Sequence, residues 1–229
     1  MAAVPQGHAH AVYVWEAPVR LWHWVMMVAM FVLMGTGYLI GVPLFSVIGE
    51  AHNQYWFGYV RFLHFAAGYV FAIFLVLRIY WAFVGNKYSR EIFLVPFALF
   101  TAKFWKGLID DILFYAYIRR EPGSYEGHNP LAAVAMFAMY LLGSIFMIVT
   151  GFALYGEGTG MTTWQYKMFT SWVEPIFGNP QNIHTWHHFG MWYLIVFSMV
   201  HIYMVMRQDV FTNETIVSTM INGWRLKKP

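Results

Sequence analysis

The sequence predicts an all-α membrane protein, a bundle of four transmembrane helices with short interfacial helices beside it. Three observations predict it. Hydrophobic residues make up 59% of the 229 and charged residues only 11%, where a soluble domain averages about 25% charged. Mean hydropathy is +0.50. Four apolar runs reach the length of about 20 residues that a helix needs to cross the hydrocarbon core.

Those runs extend from about Leu21 to Ile40, Phe62 to Val84, Leu131 to Leu154 and His187 to Met206. Residues Met1 to Arg20 have neither a basic n-region nor a cleavage site, so the first run reads as a retained helix rather than a signal peptide. Residues 1–229 read as one integral membrane domain. Two further stretches are too short to cross: Phe93 to Phe100 contains Pro96, and Leu108 to Ile118 carries Asp110 and Asp111. Both are expected to lie on the membrane surface.

The basic residues orient the spans. The loop from Gly85 to Asn129 holds Lys87, Arg90, Lys103, Lys106, Arg119 and Arg120, and the tail holds Arg207, Arg225, Lys227 and Lys228. The loop from Gly41 to Tyr59 has none, and that from Tyr155 to Trp186 has only Lys167. The positive-inside rule therefore puts both termini and the long middle loop in the cytoplasm. The other two loops face the opposite side, which is the periplasm in a Gram-negative cell. Trp22, Trp24, Tyr80, Trp81 and Trp192 sit near span ends, where an aromatic belt is expected.

The chain has no cysteine. That removes disulfides, thiolate haem ligands, iron–sulfur clusters and thiolate zinc sites. The net charge of +3 is small and scattered, so nucleic acid is not an expected partner. Any metal must be held mainly by histidine, methionine or carboxylate. Of ten histidines, His23, His64, His187 and His201 fall within spans or at their lips. An ionisable residue there is costly and marks a functional site by default.

Their spacing is informative. His187 and His201 are fourteen residues apart, just under four helical turns. They share a face and stand roughly 21 Å apart along the axis. In the expected topology His187 and His64 lie toward the outer side, His23 and His201 toward the cytoplasm. Two depths with two imidazoles each is the requirement of two stacked bis-histidine haem b sites. Both axial positions would be filled, which leaves electron transfer as the task.

Other residues carry two readings each. Gly37, fourteen residues after His23, and Gly68, one turn after His64, either let a porphyrin lie close to the backbone or simply pack helices. Arg20 and Arg61 each precede a histidine by three residues, and either bind propionates or snorkel to the interface. Arg78, fourteen residues after His64, suits an inner-haem propionate. Met26, Met27, Met30 and Met34 read as packing rather than as ligands. A short internal echo joins Thr36-Gly37-Tyr38 with Gly41 to Thr150-Gly151-Phe152 with Gly156, as from a duplicated hairpin.

Several segments are similar to one family. Arg20-Leu-Trp-His23-Trp24 with Leu33-Met-Gly-Thr36-Gly37, and His184-Thr-Trp-His187-His188-Phe-Gly-Met-Trp192 with Phe197 and His201, resemble the signature segments of the b-type cytochrome subunit of membrane-bound nickel–iron hydrogenases. Glu16-Ala-Pro-Val-Arg20, Arg78-Ile-Tyr-Trp81, Gly127-His-Asn-Pro130 and Ser218-Thr-Met-Ile-Asn-Gly223 resemble it too. The cytochrome subunit of formate dehydrogenase is a more distant relative.

The resemblance implies an inner-membrane anchor for a periplasmic hydrogenase, contacting the iron–sulfur small subunit and, through it, the large subunit. It implies two b haems, with His64 and His187 on the outer and His23 and His201 on the inner, and electrons leaving to menaquinone or ubiquinone. It also suggests a quinone pocket near His128 and Asn129. A plain helix start, with Asn129 as cap and Pro130 in the first turn, explains that segment as well.

His184 and His188 either tune the outer haem or are simply exposed, and His8, His10 and His52 are expected to be solvated. The aromatic loop from Glu157 to Asn182 suits a docking face or a helix on the membrane.

Other functions fit less well. The chain has no nickel–iron site of its own, so it is not expected to oxidise hydrogen unaided. The same cytochrome serving formate dehydrogenase or another periplasmic donor is the alternative within the class. A histidine-based ion or metal transporter would need acidic residues inside its spans, and the spans have none. A purely structural anchor leaves the four histidines unexplained.

Overall fold

A computed structural model of the chain describes residues 10–42, 55–121, 123, 125–212 and 214–227. His8 and His52 lie outside them. Among the described residues, four helices are long and apolar enough to cross a membrane: Ala17–Gly41 (α1), Trp56–Val84 (α2), the compound span Pro130–Thr159, and Pro180–Thr212 (α8). Each expected span is found; three helices run past both limits of their apolar stretch, and α2 starts before its stretch but ends with it at Val84. Hydropathy marks what lies in hydrocarbon, whereas the helix continues until a cap or turn ends it.

The third span is composite. It begins as α5 (Pro130–Ala135), widens into a π turn at Met136–Leu141, and ends as α6 (Leu142–Thr159). Asn129 caps it, its Oδ1 accepting from the Ala132 N–H at 2.7 Å, and Pro130 supplies the first turn.

Between the second and third spans come a 3-10 stretch at Lys87–Leu94, α3 (Val95–Ala98) and α4 (Ala102–Tyr115). The axis turns by 105° between Lys87–Ala98 and Ala102–Tyr115. Leu108, Asp111 and Phe114 point inward along α4 at helical spacing, while Trp105, Ile109 and Ile112 stay exposed. An outer face that is itself apolar is what a helix lying on lipid presents.

After the third span a second π turn (Tyr166–Thr170) leads into α7 (Ser171–Phe177). Following α8, α9 (Ile216–Asn222) precedes a strand, β2 (Trp224–Lys227), which pairs antiparallel with β1 (His10–Tyr13). This small sheet was not expected. Four-residue strands are too short to show an alternating pattern.

The chain forms two compact units. One comprises residues 1–23, 78–137 and 198–229. Its core is Val14, Trp15, Val19 and Tyr88. Glu16 organises it: one carboxylate oxygen accepts from Trp81 Nε1 and the Asn86 N–H at 2.9 Å, and from Ser89 Oγ at 3.0 Å. Burial pushes this carboxyl up, but the three donors outweigh burial and hold it below its ordinary value. Arg225 is buried too, donating to Glu214 at 2.8 Å and to the carbonyls of Glu126 and Gly127 at 3.0 Å.

The other unit comprises residues 24–77 and 138–197. Ala153, Val173 and Ile183 form a core there, with Phe169 and Phe177 against it. The turn before α7 lies close on α6 because Gly156 has no side chain: a Cβ there would fall 2.7 Å from the Tyr166 nitrogen. Aromatic residues of the loop between Glu157 and Asn182 are partly used in this packing, as Phe169 is in the stacked Phe152–Phe169 pair at 5.1 Å. Trp164, Met168, Trp172 and Ile176 remain exposed.

The belt expectation needs correction in part. Trp24, Tyr80 and Trp192 are exposed. Trp22 is instead buried beside Arg78, and Trp81 is tied to Glu16. Position near a span end does not tell a lipid-facing indole from one turned inward.

Candidate functional site

In the second unit, His64 on α2 and His187 on α8 line one cavity of about 500 Å³. Its walls are mostly apolar, including Met30, Leu33, Phe71, Met147, Met191 and Leu194. Arg61, His184 and His188 add polar groups, and Gly37, Gly68 and Gly151 also line it.

Each histidine is held by a threonine of a different helix. Thr36 Oγ1 on α1 lies 2.9 Å from His64 Nδ1, and Thr150 Oγ1 on α6 lies 2.8 Å from His187 Nδ1. The glycine after each threonine meets the same ring. A Cβ at Gly37 would sit 3.3 Å from His64 Cε1, and one at Gly151 would sit 3.2 Å from His187 Cε1. At Gly68 a Cβ would meet nothing nearer than Leu33 at 4.0 Å. Gly41 faces His188, where a Cβ would fall 2.8 Å from Cε1.

In the first unit, His23 on α1 and His201 on α8 face each other with ring centroids 6.5 Å apart and planes at 48°. A metal bound at about 2 Å by one nitrogen of each ring, from opposite sides, sets the centroids roughly 6 Å apart. Arg78 is only 3% exposed. Its guanidinium lies between the Trp22 and Phe93 rings at 5.2 Å from each and donates to the Ser89 carbonyl at 2.6 Å. Arg20 donates to the Ile221 carbonyl, tying α1 to α9.

His128 and Asn129 are also in this unit. His128 lines a shallow cavity of about 360 Å³ with Lys87, Tyr88, Glu91 and Glu126. Glu91 accepts from its backbone N–H at 2.8 Å and lies 3.2 Å from its Nδ1, while the Trp15 ring sits 4.9 Å away. Asn129 is buried; beyond its capping bond, its Nδ2 donates to Gln208 at 3.0 Å.

Thr36, Thr150, Gly151, Glu91 and Gln208 are the residues that sequence reasoning passed over. The repeated Thr-Gly pair was the available signal for the first three; Glu91 and Gln208 had none.

Such a scaffold, with membrane-crossing helices and imidazoles paired inside them, defines a b-type membrane cytochrome. Residues 14–223 match the family described as prokaryotic cytochrome b561, and the chain belongs to it. Among its relatives is the probable Ni/Fe-hydrogenase B-type cytochrome subunit of Azotobacter vinelandii, 52% identical over 95% of this chain and 90% of the relative. The subunit of the same name from Bradyrhizobium diazoefficiens is 55% identical over 93% and 85%. The probable Ni/Fe-hydrogenase 1 B-type cytochrome subunit of Escherichia coli is 47% identical over 94% and 91%.

The residues fit haem b. The larger cavity offers two imidazoles in an apolar surround, with bare backbone at Gly37 and Gly151 where side chains would crowd the rings. The His23–His201 separation matches two imidazoles sharing one metal.

Proposed function

We propose that this chain is the membrane anchor and electron-transfer cytochrome subunit of a respiratory nickel–iron hydrogenase. It takes electrons from the partner's iron–sulfur small subunit and passes them through two b haems to membrane quinone. His64 and His187 hold the outer haem, His23 and His201 the inner. The observation that carries this reading is the pairing itself. Four histidines from three span helices group two by two: His64 and His187 line one cavity in one compact unit, and His23 and His201 face each other in the other.

Haem b, held by these imidazoles, would supply a one-electron couple. The chain's own contribution is to orient those rings, exclude water with apolar walls and bring charge to the edges. Arg61, exposed at the cavity beside His64, suits an outer propionate. Arg20 and Arg78 play that part for the inner haem, although each already bonds a backbone carbonyl. Gly37 and Gly68 give the outer ring its close approach.

Quinone is reduced near His128 and Asn129. Quinone reduction needs a donor to each carbonyl and a source of protons. His128 provides an imidazole beside Glu91, and Asn129 an amide. Both termini and the His128 cavity face the cytoplasm of an inner membrane, and the hydrogenase docks on the periplasmic side against the exposed aromatics of the loop before α8. The names of the relatives support the hydrogenase partner.

Haem quantitation and reduced-minus-oxidised spectra of the purified complex test the assignment. Two haems per chain are expected, with one missing from His64→Ala and the other from His201→Ala. A full complement in either variant overturns the corresponding pair. Absence of hydrogenase subunits from the purified complex overturns the partner.

A further inference from the structure

We infer that Thr36 and Thr150 are positioning residues that fix the tautomer of His64 and His187 and hold down the reduction potential of the haem they bind. This rests on the haem assignment proposed above.

A threonine hydroxyl has one proton to donate and two lone pairs to accept with. Thr36 Oγ1 lies 2.6 Å from the Val32 carbonyl oxygen, four residues back on its own helix. Thr150 Oγ1 lies 2.8 Å from the Phe146 carbonyl oxygen, again four residues back. A carbonyl can only accept, so each hydroxyl proton is committed to its helix. Toward the imidazole, each Oγ1 then presents a lone pair. The ring nitrogens at 2.9 Å and 2.8 Å must therefore be the donors, as Nδ1–H. In a neutral imidazole that leaves Nε2 without a proton and free to bind a metal.

The arrangement occurs twice with the same Thr-Gly pair, although His64 also bonds the Leu33 backbone, three residues before Thr36. In each case a Thr-Gly pair on one helix grips a histidine on another, the hydroxyl at Nδ1 and the bare glycine backbone beside Cε1. The duplicated hairpin echo thus has a chemical meaning: each copy carries its own ligand and the device that orients it.

The chain from ring N–H to hydroxyl to carbonyl also polarises the ring. A hydrogen bond accepted from the distal N–H makes an imidazole a stronger donor to its metal. Stronger donation favours the ferric form and lowers the potential. Removing either hydroxyl should raise it.

The test is a spectroscopic redox titration of the intact complex carrying Thr36→Val, Thr150→Val, and the Ser and Ala changes at both positions. Val keeps the branched shape and loses the hydroxyl; Ser keeps the hydroxyl. The Val and Ala variants should raise the midpoint of the outer haem alone. The expected change is about threefold to tenfold in its ferric/ferrous equilibrium, tenfold being about 59 mV for one electron. The Ser variants should stay at the native midpoint. Haem lost from Val and Ala but kept by Ser would equally support the hydroxyl's role. Unshifted midpoints in both Val and Ala, or an equal shift in Ser, overturn the inference. His64→Ala is the control: if the outer component survives in it, the haem assignment itself has failed.

Discussion

At the scale of single residues, chemistry that looks alike divides by its neighbours. Four histidines sit in spans; His128, outside the hydrocarbon stretch, has a carboxylate for its neighbour. Glu91 binds both its backbone N–H and its Nδ1. With Nδ1–H turned to Glu91, a second ring proton at Nε2 is what would donate to a quinone oxygen in the proposed pocket. His128→Ala should leave both haems in place and slow quinone turnover by about 10²-fold, the lower range for loss of a positioned proton donor. Steady-state reduction of a quinone analogue by the intact complex measures it, and a native rate removes His128 from the pocket. The four intramembrane histidines were legible in the sequence because few ionisable residues stand in spans at all. Their threonine partners were half legible: the repeated Thr-Gly pair stood out, but nothing in the sequence joined it to a ring. A threonine in an apolar helix is common, and only the fold shows which ones face a ring.

At the scale of elements, the spans were legible because hydrocarbon imposes length and apolarity on any helix that crosses it. Asn129-Pro130 was legible as a cap for the same kind of reason: Asn accepts the first free N–H groups, and Pro has none to lose. The π turn at Met136–Leu141 and the β1–β2 pair were not, since neither leaves a period in so few residues. The docking of α4 on α5 was also hidden. It turns on Asp111, 2% exposed, which accepts from the Leu131 N–H at 3.3 Å. Burial pushes the Asp111 carboxyl up to about 6, aided by Asp110, while the Leu131 N–H and Arg119 pull it down. An unfolded aspartate titrates near about 3.9. The group's contribution to stability is therefore complete below about pH 4, falls as pH rises to about 6, and stays low above that. Asp111→Asn keeps an oxygen for Leu131 and removes the buried charge. Its thermal midpoint in detergent should exceed the native one by about 2–4 °C at pH 8, as for about 1 kcal/mol in a chain of this length. The difference should vanish near pH 4. A variant less stable at both pH values would mean that the charge itself holds the two helices together.

For the whole molecule, the two histidine pairs would divide the labour of the proposed electron path. His187 and His201 belong to one helix, fourteen residues apart, so α8 serves both haems of the proposal while α2 supplies one ligand and α1 the other. This division separates two activities in the intact complex. In the proposed complex, hydrogen oxidation belongs to the partner subunits and needs nothing from this chain when an artificial dye takes the electrons. Quinone reduction needs the whole path. His201→Ala, which removes the inner ligand opposite His23, should therefore abolish hydrogen-dependent quinone reduction while dye reduction continues at the native rate and the complex still assembles. His64→Ala should do the same from the other end. The two variants should differ when dithionite and hydrogen are compared as reductants. Under hydrogen, the remaining outer haem of His201→Ala should still become reduced, while the remaining inner haem of His64→Ala should stay oxidised, because it has lost its supply. Dithionite should reduce both. Full hydrogen-driven reduction of the inner haem in His64→Ala would show that electrons enter the chain without passing the outer pair, and the order of the path would have to be reversed or abandoned.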